Sequence, residues 1–481
     1  MKRIWREIQI LPLIGMIAAS EVLCQDMSFI QHPVDLTFQG IQCIKVFDLD
    51  RDGDLDIVGG SEITPNAASQ GLAWWRNDGG NPVKWTKYVI DQSFVHVMSV
   101  DVADIDGDRN MDIVATSWAL HEVSWWKNSG NPTTDWRKSV VVAGFTNAHD
   151  ARCADLNHDG ATDIVAVSST PGKIAVFYNN EEGTGSSWTQ SVVSTAFSGA
   201  KMVSLVDLDE DGDLDIVGIA DGANEIARWE NLSGEPVVWK KNVIASGFVG
   251  GASVDVVDLK PERKYAIVAT SWKTNQVASW TGSQNNGWEQ KTVSNRLGIA
   301  ANALGFDSDR DGDVDIVAAG IDPGQLLIYE NTKSDWAENV LTDNFSGGCA
   351  LAVADIDGDG DCDIIAGAAF IGVLCWWEDV TPIATGLEIP LTKPATFGLK
   401  QNYPNPFNPT TTIQFSLPQE RPVVITLNDI LGKEIRTIAD RRYPAGEHSI
   451  IIDGSDLASG IYLCRFQSGS SVETARMALI R

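Results

Sequence analysis

Residues 48–60 read DLDRDGDLDIVGG. Aspartate falls at alternate positions, Asp48, Asp50, Asp52, Asp54 and Asp56, and the chain then turns apolar at Ile57 and Val58. Like charges this dense repel, so the stretch calls for a cation, a catalytic use or full solvation. Recurrence favours the first. The pattern returns as DIDGDRNMDIV from Asp104, DLNHDGATDIV from Asp155, DLDEDGDLDIV from Asp207, DLKPERKYAIV from Asp258, DSDRDGDVDIV from Asp307 and DIDGDGDCDII from Asp355. Successive starts lie 48 to 56 residues apart. A fixed period of this length marks a propeller, solenoid or array, and an active site has no need of so many copies.

More than the acidic loop repeats. About twenty residues later comes an aromatic run: AWWRN, SWWKN, VFYNN, RWEN, ASWTG, LIYEN and CWWED. A polar loop follows, then a run led by Trp85, Trp136, Trp188, Trp239, Trp288 or Trp336. Each period therefore carries four short β-runs and no helical periodicity. Four antiparallel strands repeated seven times predict an all-β chain whose main body is a seven-bladed β-propeller. Strands such as DIVATS are apolar or small on both faces, as a blade stacked between two others requires. Most of the 17 tryptophans are expected to fill the widening wedge between blades. Residues 29–34 align with 85–90 at the offset of the first two repeats, whereas the seventh repeat stops after its third run. Residues 29–35 are therefore expected to complete the last blade and remove its free edge.

In D-x-D-x-D-G-x-x-D, side chains 1, 3, 5 and 9 can converge on one cation, and carbonyl 7 can join them. Hard oxygen donors in a flexible loop suit Ca²⁺, and Gly at position 6 allows the sharp turn. The ligand sets are Asp48, Asp50, Asp52 and Asp56; Asp104, Asp106, Asp108 and Asp112; Asp155, Asn157, Asp159 and Asp163; Asp207, Asp209, Asp211 and Asp215; Asp307, Asp309, Asp311 and Asp315; and Asp355, Asp357, Asp359 and Asp363. Up to six structural Ca²⁺ are expected. An EF-hand is excluded, because position 12 is Gly or Ala on a strand rather than Glu. Loop 2 has Arg109 where Gly is wanted. Loop 5 has lost its ligands, with Lys260, Glu262, Lys264 and Ala266 at positions 3, 5, 7 and 9; a lysine ammonium is expected to supply the missing charge.

The chain has 481 residues and a net charge of −29. That balance argues against nucleic acid or an anionic membrane as partner and favours cations or neutral ligands. The start, MKRIWREIQILPLIGMIAAS, has a basic head, a short apolar run and small residues, so residues 1–24 read as a secretory signal peptide. No stretch is long enough for a transmembrane helix. Once Cys24 leaves with the signal, Cys43, Cys153, Cys349, Cys362, Cys375 and Cys464 remain. Their spacing gives no disulfide or zinc framework, and buried free thiols are expected.

The DxDxDGxxDIV loops, the WWxN strand and the polar turn resemble the FG-GAP/VCBS repeat family, which includes the integrin α propeller. The resemblance covers roughly residues 29–379, within a propeller domain drawn at 25–379. It implies calcium in the hairpins between strands 1 and 2 and does not imply one activity. After a Pro/Thr/Gly linker at 380–398, residues 399–481 alternate apolar runs with turns, as in a small Ig-like β-sandwich. Tyr403-Pro404-Asn405-Pro406-Phe407-Asn408-Pro409, the DILGK turn and SGIY resemble the type IX secretion C-terminal sorting domain. That resemblance implies a Bacteroidota-type Gram-negative bacterium, contact with the type IX machinery, delivery to the outer cell surface or beyond, and removal of this domain.

If the acidic loops occupy one propeller face, loops 2–3 and 4–1 occupy the other. Trp118 and Trp272 share one place there in ATSW of repeats 2 and 5, with His96, His121, His149, Lys201, Lys273, Asn302 and Asp322 near in register. Exposed aromatics beside polar groups can stack on sugar rings. No nucleophile–base order, metalloprotease motif or phosphate loop appears. The expected role is a monomeric, non-catalytic binding or adhesion module for carbohydrate or protein. The alternative is a polysaccharide lyase or hydrolase that uses this same face.

Overall fold

The computed structural model describes residues 28–481 except 63–69, 135, 181–182, 235, 260–263, 284–286, 333–334, 382–396, 401, 403–404, 406, 408–409, 419–420, 431, 444–445, 455–456, 470 and 480–481. The expected signal peptide at 1–24, Lys260 and Glu262 of loop 5, and most of the linker lie outside the described residues. The chain divides into two compact units, residues 1–382 and 383–481. Every regular element among the described residues is a strand.

The first unit is a ring of seven four-stranded antiparallel sheets. Blade 1 comprises β2 (Ile41–Phe47), β3 (Asp56–Ser61), β4 (Leu72–Asn77) and β5 (Trp85–Asp91), paired in that order. Blades 2 to 6 repeat it over 97–143, 148–194, 200–246, 251–294 and 300–342. Second strands such as Asp56–Ser61, Asp112–Ser117 and Asp163–Ser168 are buried at every residue, which explains their two apolar faces. The third strands bring Trp74, Trp75, Trp126, Trp229, Trp280, Trp376 and Trp377 into the wedge between blades, nearly all fully buried. A phenylalanine from the preceding loop meets many of them edge-on, as Phe94 does Trp126 and Phe197 does Trp229. Such pairs contribute about 0.5–1.5 kcal/mol beyond area burial.

Blade 7 consists of β26 (Gly348–Ala354), β27 (Asp363–Ala368), β28 (Val373–Asp379) and β1 (Phe29–Asp35). The N-terminal strand runs antiparallel to β28, with Phe29 opposite Asp379 and Gln31 opposite Trp377. Ring closure is therefore as expected from the repeat offset. Asp35 then reaches into blade 1. Its Oδ2 accepts the Trp75 indole N–H at 3.0 Å and pairs with Lys87 at 3.0 Å. Asp91 makes the same indole link from blade 1 to Trp126 of blade 2, at 3.3 Å, so the closure uses an ordinary blade-to-blade bond.

The second unit packs two sheets around one core. One is β29 (Gly398–Leu399), β30 (Thr410–Leu417) and β33 (Gly446–Asp453); the other is β32 (Glu434–Tyr443), β31 (Arg421–Asn428), β34 (Gly460–Ser468) and β35 (Ser471–Leu479). Phe407, Ile413, Phe415, Val423, Ile425, Tyr462 and Phe466 build the core. Two described residues of the YPNPFNP stretch clasp the last strand. The Asn405 amide accepts from Ala478 N–H and donates to the Arg476 carbonyl, and Phe407 N–H donates to the Ala478 carbonyl.

The cysteines Cys43, Cys153, Cys349, Cys362, Cys375 and Cys464 are free thiols. Cys349, Cys375 and Cys464 are buried as expected, Cys43 and Cys153 only partly so, and Cys362 departs furthest. It is exposed, because position 8 of loop 7 faces outward there.

Candidate metal loops and channel mouth

Each acidic loop is the hairpin between strands 1 and 2 of its blade. Position 4 has left-handed φ in loops 1, 3, 4 and 6 even though it is not glycine: Arg51 62°, His158 59°, Glu210 61° and Arg310 62°. Position 6 is left-handed too, as at Gly53 (99°) and Gly212 (98°). Glycine takes that conformation without steric cost. Arg109 adopts it in loop 2 at 72°. The two reversals coil the loop so that its odd-numbered side chains turn inward. One carboxylate oxygen from each of Asp48, Asp50 and Asp56 falls within 4.8 Å of the others, and so do sets from Asp104, Asp106 and Asp108; Asp207, Asp209 and Asp211; Asp307, Asp309 and Asp311; and Asp355, Asp357 and Asp359. In loop 3, Asn157 donates to Asp159 at 2.8 Å, which eases the repulsion.

The ninth aspartate has a second task that its position in the motif did not disclose. Asp56, Asp112, Asp163, Asp215, Asp315 and Asp363 are buried. In each, Oδ2 accepts the backbone N–H of loop position 2 at 2.8–3.1 Å. Oδ1 accepts the N–H of the residue ending strand 3, at 2.7–3.0 Å. That residue is Asn except in blade 7, where it is Asp379, and the Asn amide carries the link to the preceding blade. Asn77, Asn128, Asn179 and Asn231 donate to the carbonyls of Ile356, Leu49, Ile105 and Leu156. Blade 5 has lost both partners, with Ala266 and Gly282 in their places.

Burial, with neighbouring carboxylates adding to it, pushes Asp56, Asp112, Asp163 and Asp363 up to about 7, despite the backbone donors. Asp215 and Asp315 rise to about 6. The donor set fits a hard divalent cation. Asp48 Oδ1, Asp50 Oδ1, Asp104 Oδ1, Asp155 Oδ1 and Asp355 Oδ1 are buried without a hydrogen-bond partner. In Asp56, Asp112, Asp163 and Asp363 each oxygen, bonded to one backbone N–H, also keeps a second lone pair. Loops 2 and 4 differ from the rest. Lys127 pairs with Asp106 and Asp108, and Arg228 pairs with Asp209 and Asp215.

The opposite face is organised by the loops between blades. At the start of each first strand one residue is left-handed: Gly40, His96, Asn147, Gly199, Gly250, Ile299 and Gly347. Its carbonyl accepts the N–H of the residue just after strand 2, which is Glu62, Trp118, Ser169, Asp221, Trp272, Ile321 or Ala369. Two positions on, the register of most first strands slips. Such a bulge re-aims a side chain. Gln42, Met98, His149, Lys201 and Cys349 sit there and line a central cavity of about 880 Å³. Lys45, Asp101, Asp150 and Arg152 lie deeper, held by Lys45–Asp101 (3.0 Å) and Arg152–Asp150 (2.8 Å) ion pairs.

The expected ligand residues fall into three groups at this mouth rather than one. Trp118 is 39% exposed and lies against His96 at 5.1 Å, while His96 pairs with Glu62 at 2.8 Å. Lys201 contacts both His149 (3.4 Å) and Asp221 (3.7 Å). Burial and the Lys201 charge push His149 down to about 3, so its imidazole is neutral. Trp272 is 40% exposed, with the Lys273 ammonium 4.9 Å from its ring centroid. Asn302 lines the cavity with a buried, unpartnered Oδ1. His121 holds the loop instead: its Nδ1 accepts the Asn147 N–H at 3.0 Å, as Asn224 and Asn275 do for Gly250 and Ile299. Asp322 sits in the 2–3 loop of blade 6 and is not among the cavity residues. Glu62 and Asp221 were missed. They occupy the register position of Trp118 and Trp272, and that shared position was the signal.

Seven blades with an acidic hairpin in most define a β-propeller of acidic-loop repeats. Residues 48–115, 104–166, 155–218 and 307–366 match the FG-GAP-like repeat, and residues 401–480 match the secretion system C-terminal sorting domain. The chain is thus an FG-GAP-repeat propeller carrying a type IX sorting domain, exported to the outer cell surface or beyond. The repeat matches leave out 219–306, where loop 5 lies. No helix among the described residues is long and apolar enough to cross a membrane. No curated protein matches the chain. Among solved structures it is similar to candidate 6-phosphogluconolactonases from Bacteroides fragilis (11% identity, 63% of this chain and 83% of that one, TM-score 0.42) and Bacteroides uniformis (14%, 61% and 82%, 0.42). It is also similar to a luciferin-regenerating enzyme (7%, 61% and 88%, 0.39).

Proposed function

We propose that this exported propeller is a non-catalytic binding or adhesion module, stiffened by calcium in its acidic loops, that takes carbohydrate at the mouth opposite those loops. The observation that carries the reading is the rim. Of seven equivalent positions, two bear tryptophans about 40% exposed, each beside polar groups: Trp272 lines the cavity, and Trp118 lies against His96, which pairs with the cavity residue Glu62. Calcium is supported by the buried, unpartnered oxygens of the loop aspartates. It would be held by side chains 1, 3, 5 and 9 and would neutralise their repulsion. It supplies no reaction step.

A glycan array probed with the full chain, with calcium and after chelation, tests the binding. Retention of an oligosaccharide is expected, weakened at least about tenfold by Trp118→Ala or Trp272→Ala, a loss of ~1.4 kcal/mol or more. Neither substitution should move the melting temperature by more than about 2 °C, since neither ring fills the core. If no glycan is retained, the carbohydrate reading falls. Shortening of the same glycans would favour the enzyme.

The loop carboxyls also set a pH dependence. The ninth aspartates lie at about 6 to 7 in the calcium-free fold, above the unfolded value near 3.8. A carboxyl raised on folding contributes stability that is complete below the unfolded value and lost as pH rises through the folded one. Desalted, calcium-free protein should therefore melt higher at pH 5.5 than at pH 7.5. With calcium bound the carboxylates stay ionised, and that gain should vanish. Scanning calorimetry at the two pH values decides it, and a calcium-free protein that melts lower at pH 5.5 contradicts it.

A further inference from the structure

Among the described residues, Arg228 is the least exposed lysine or arginine of the propeller, at 1%. It lies on the third strand of blade 4, Glu225–Asn231. The same register holds Trp74, Trp125, Val176, Ser279, Ile328 and Trp376 in the other blades, as the pairing with the second strand shows. None of these is charged. A guanidinium taken out of water needs an opposite charge close by. Arg228 Nη2 finds two, Asp209 Oδ2 at 2.6 Å and Asp215 Oδ2 at 2.7 Å. These are positions 3 and 9 of loop 4. The contact is an ion pair rather than a set of aligned hydrogen bonds, and Nε and Nη1 find no acceptor.

We propose that Arg228 is the resident cation of loop 4, so that this loop, despite a complete set of aspartates, binds no calcium. The inference rests on the calcium reading of the other loops. Nη2 stands between two of the four carboxylates that a metal ion would need, and a guanidinium enclosed by the core cannot swing aside as a surface lysine can. Lys127 in loop 2 is that other case: its side chain is one-third exposed, and it leaves Asp104 Oδ1 unpartnered. Loop 4 is held by organic contacts on its far side as well. The Tyr265 hydroxyl of blade 5 donates to the Asp207 carbonyl at 2.8 Å. Blade 5 itself has Ala266 in place of the ninth aspartate. Blades 4 and 5 thus form an arc of the ring that needs no metal.

The test is calcium stoichiometry of the full chain by equilibrium dialysis, with three variants. Asp52→Ala in loop 1 should lose one calcium. Asp211→Ala, at the same position of loop 4, should lose none. Arg228→Ile, which installs the residue that blade 6 carries as Ile328, should gain one. Loss of a calcium in Asp211→Ala, or no gain in a folded Arg228→Ile, overturns the proposal. Should Arg228→Ile fail to fold, the Asp52 and Asp211 pair still decides the matter. If Asp52→Ala loses none because the wild type holds none, the calcium reading beneath the proposal is what fails.

Discussion

Chelation of calcium should lower the melting temperature of the full chain by about 15–20 °C at pH 7.5. Each site held at a hundred times its dissociation constant contributes about 2.7 kcal/mol. Summed over several loops this passes ~10 kcal/mol, which rivals the whole stability of an ordinary domain. The loss should not be uniform. In loops 1, 2, 3 and 7 the ninth aspartate anchors position 2, and position 2 anchors the next blade through Asn. Repulsion released in loops 7 and 1 therefore acts on the two blades that flank the closure. Blades 4 and 5, where Arg228 and Ala266 replace the metal chemistry, should keep amide protection longest. Hydrogen exchange before and after chelation reads this directly. A melting temperature unchanged by thorough chelation would remove calcium from the account of the fold.

The period, the four strands per blade and the closing strand were legible because each is a local pattern repeated. One copy of DLDRDGDLDIV is ambiguous, and its companions are not. Three features were not legible, for one physical reason: each depends on how the strands and hairpin of a folded blade bring groups distant in sequence together. The ninth aspartate reads as a ligand, and only the fold shows that both its oxygens also hold backbone amides. Arg228 reads as one polar residue in a strand, and its burial beside Asp209 and Asp215 is a tertiary fact. At the mouth, the bulge that turns His149 and Lys201 toward the cavity is a register slip in each first strand, and no residue type announces it. His121 drew attention as a histidine near a tryptophan, yet it does the work of Asn224 and Asn275.

A chain that begins at residue 36 should lose the cooperative propeller and self-associate. Strand β1 supplies six residue pairs to β28. At about 0.5–1.5 kcal/mol net per backbone hydrogen bond, the ladder alone contributes several kcal/mol. His32 adds a stacked contact with Trp376 at 4.7 Å and a pair with Glu378 at 2.6 Å. Asp35 adds the bonds to Trp75 and Lys87 that carry the ring into blade 1. Those donors, with Thr37, hold the Asp35 carboxyl below its ordinary value, although burial by itself raises it. Its contribution is thus present at neutral pH and lost on acidification through the folded value. Without β1, strand β28 becomes a bare edge bearing Leu374, Trp376 and Trp377, and such an edge pairs with other chains. Light scattering after size exclusion should show oligomers, and calorimetry should show a broadened transition lowered by about 10 °C or more. A synthetic peptide of residues 28–36 added in excess should restore part of the loss, because it can re-form the ladder in trans. A truncated chain that stays monomeric and melts like the full one would mean that closure contributes little, and that each blade is held by its neighbours' Asn and Trp links alone.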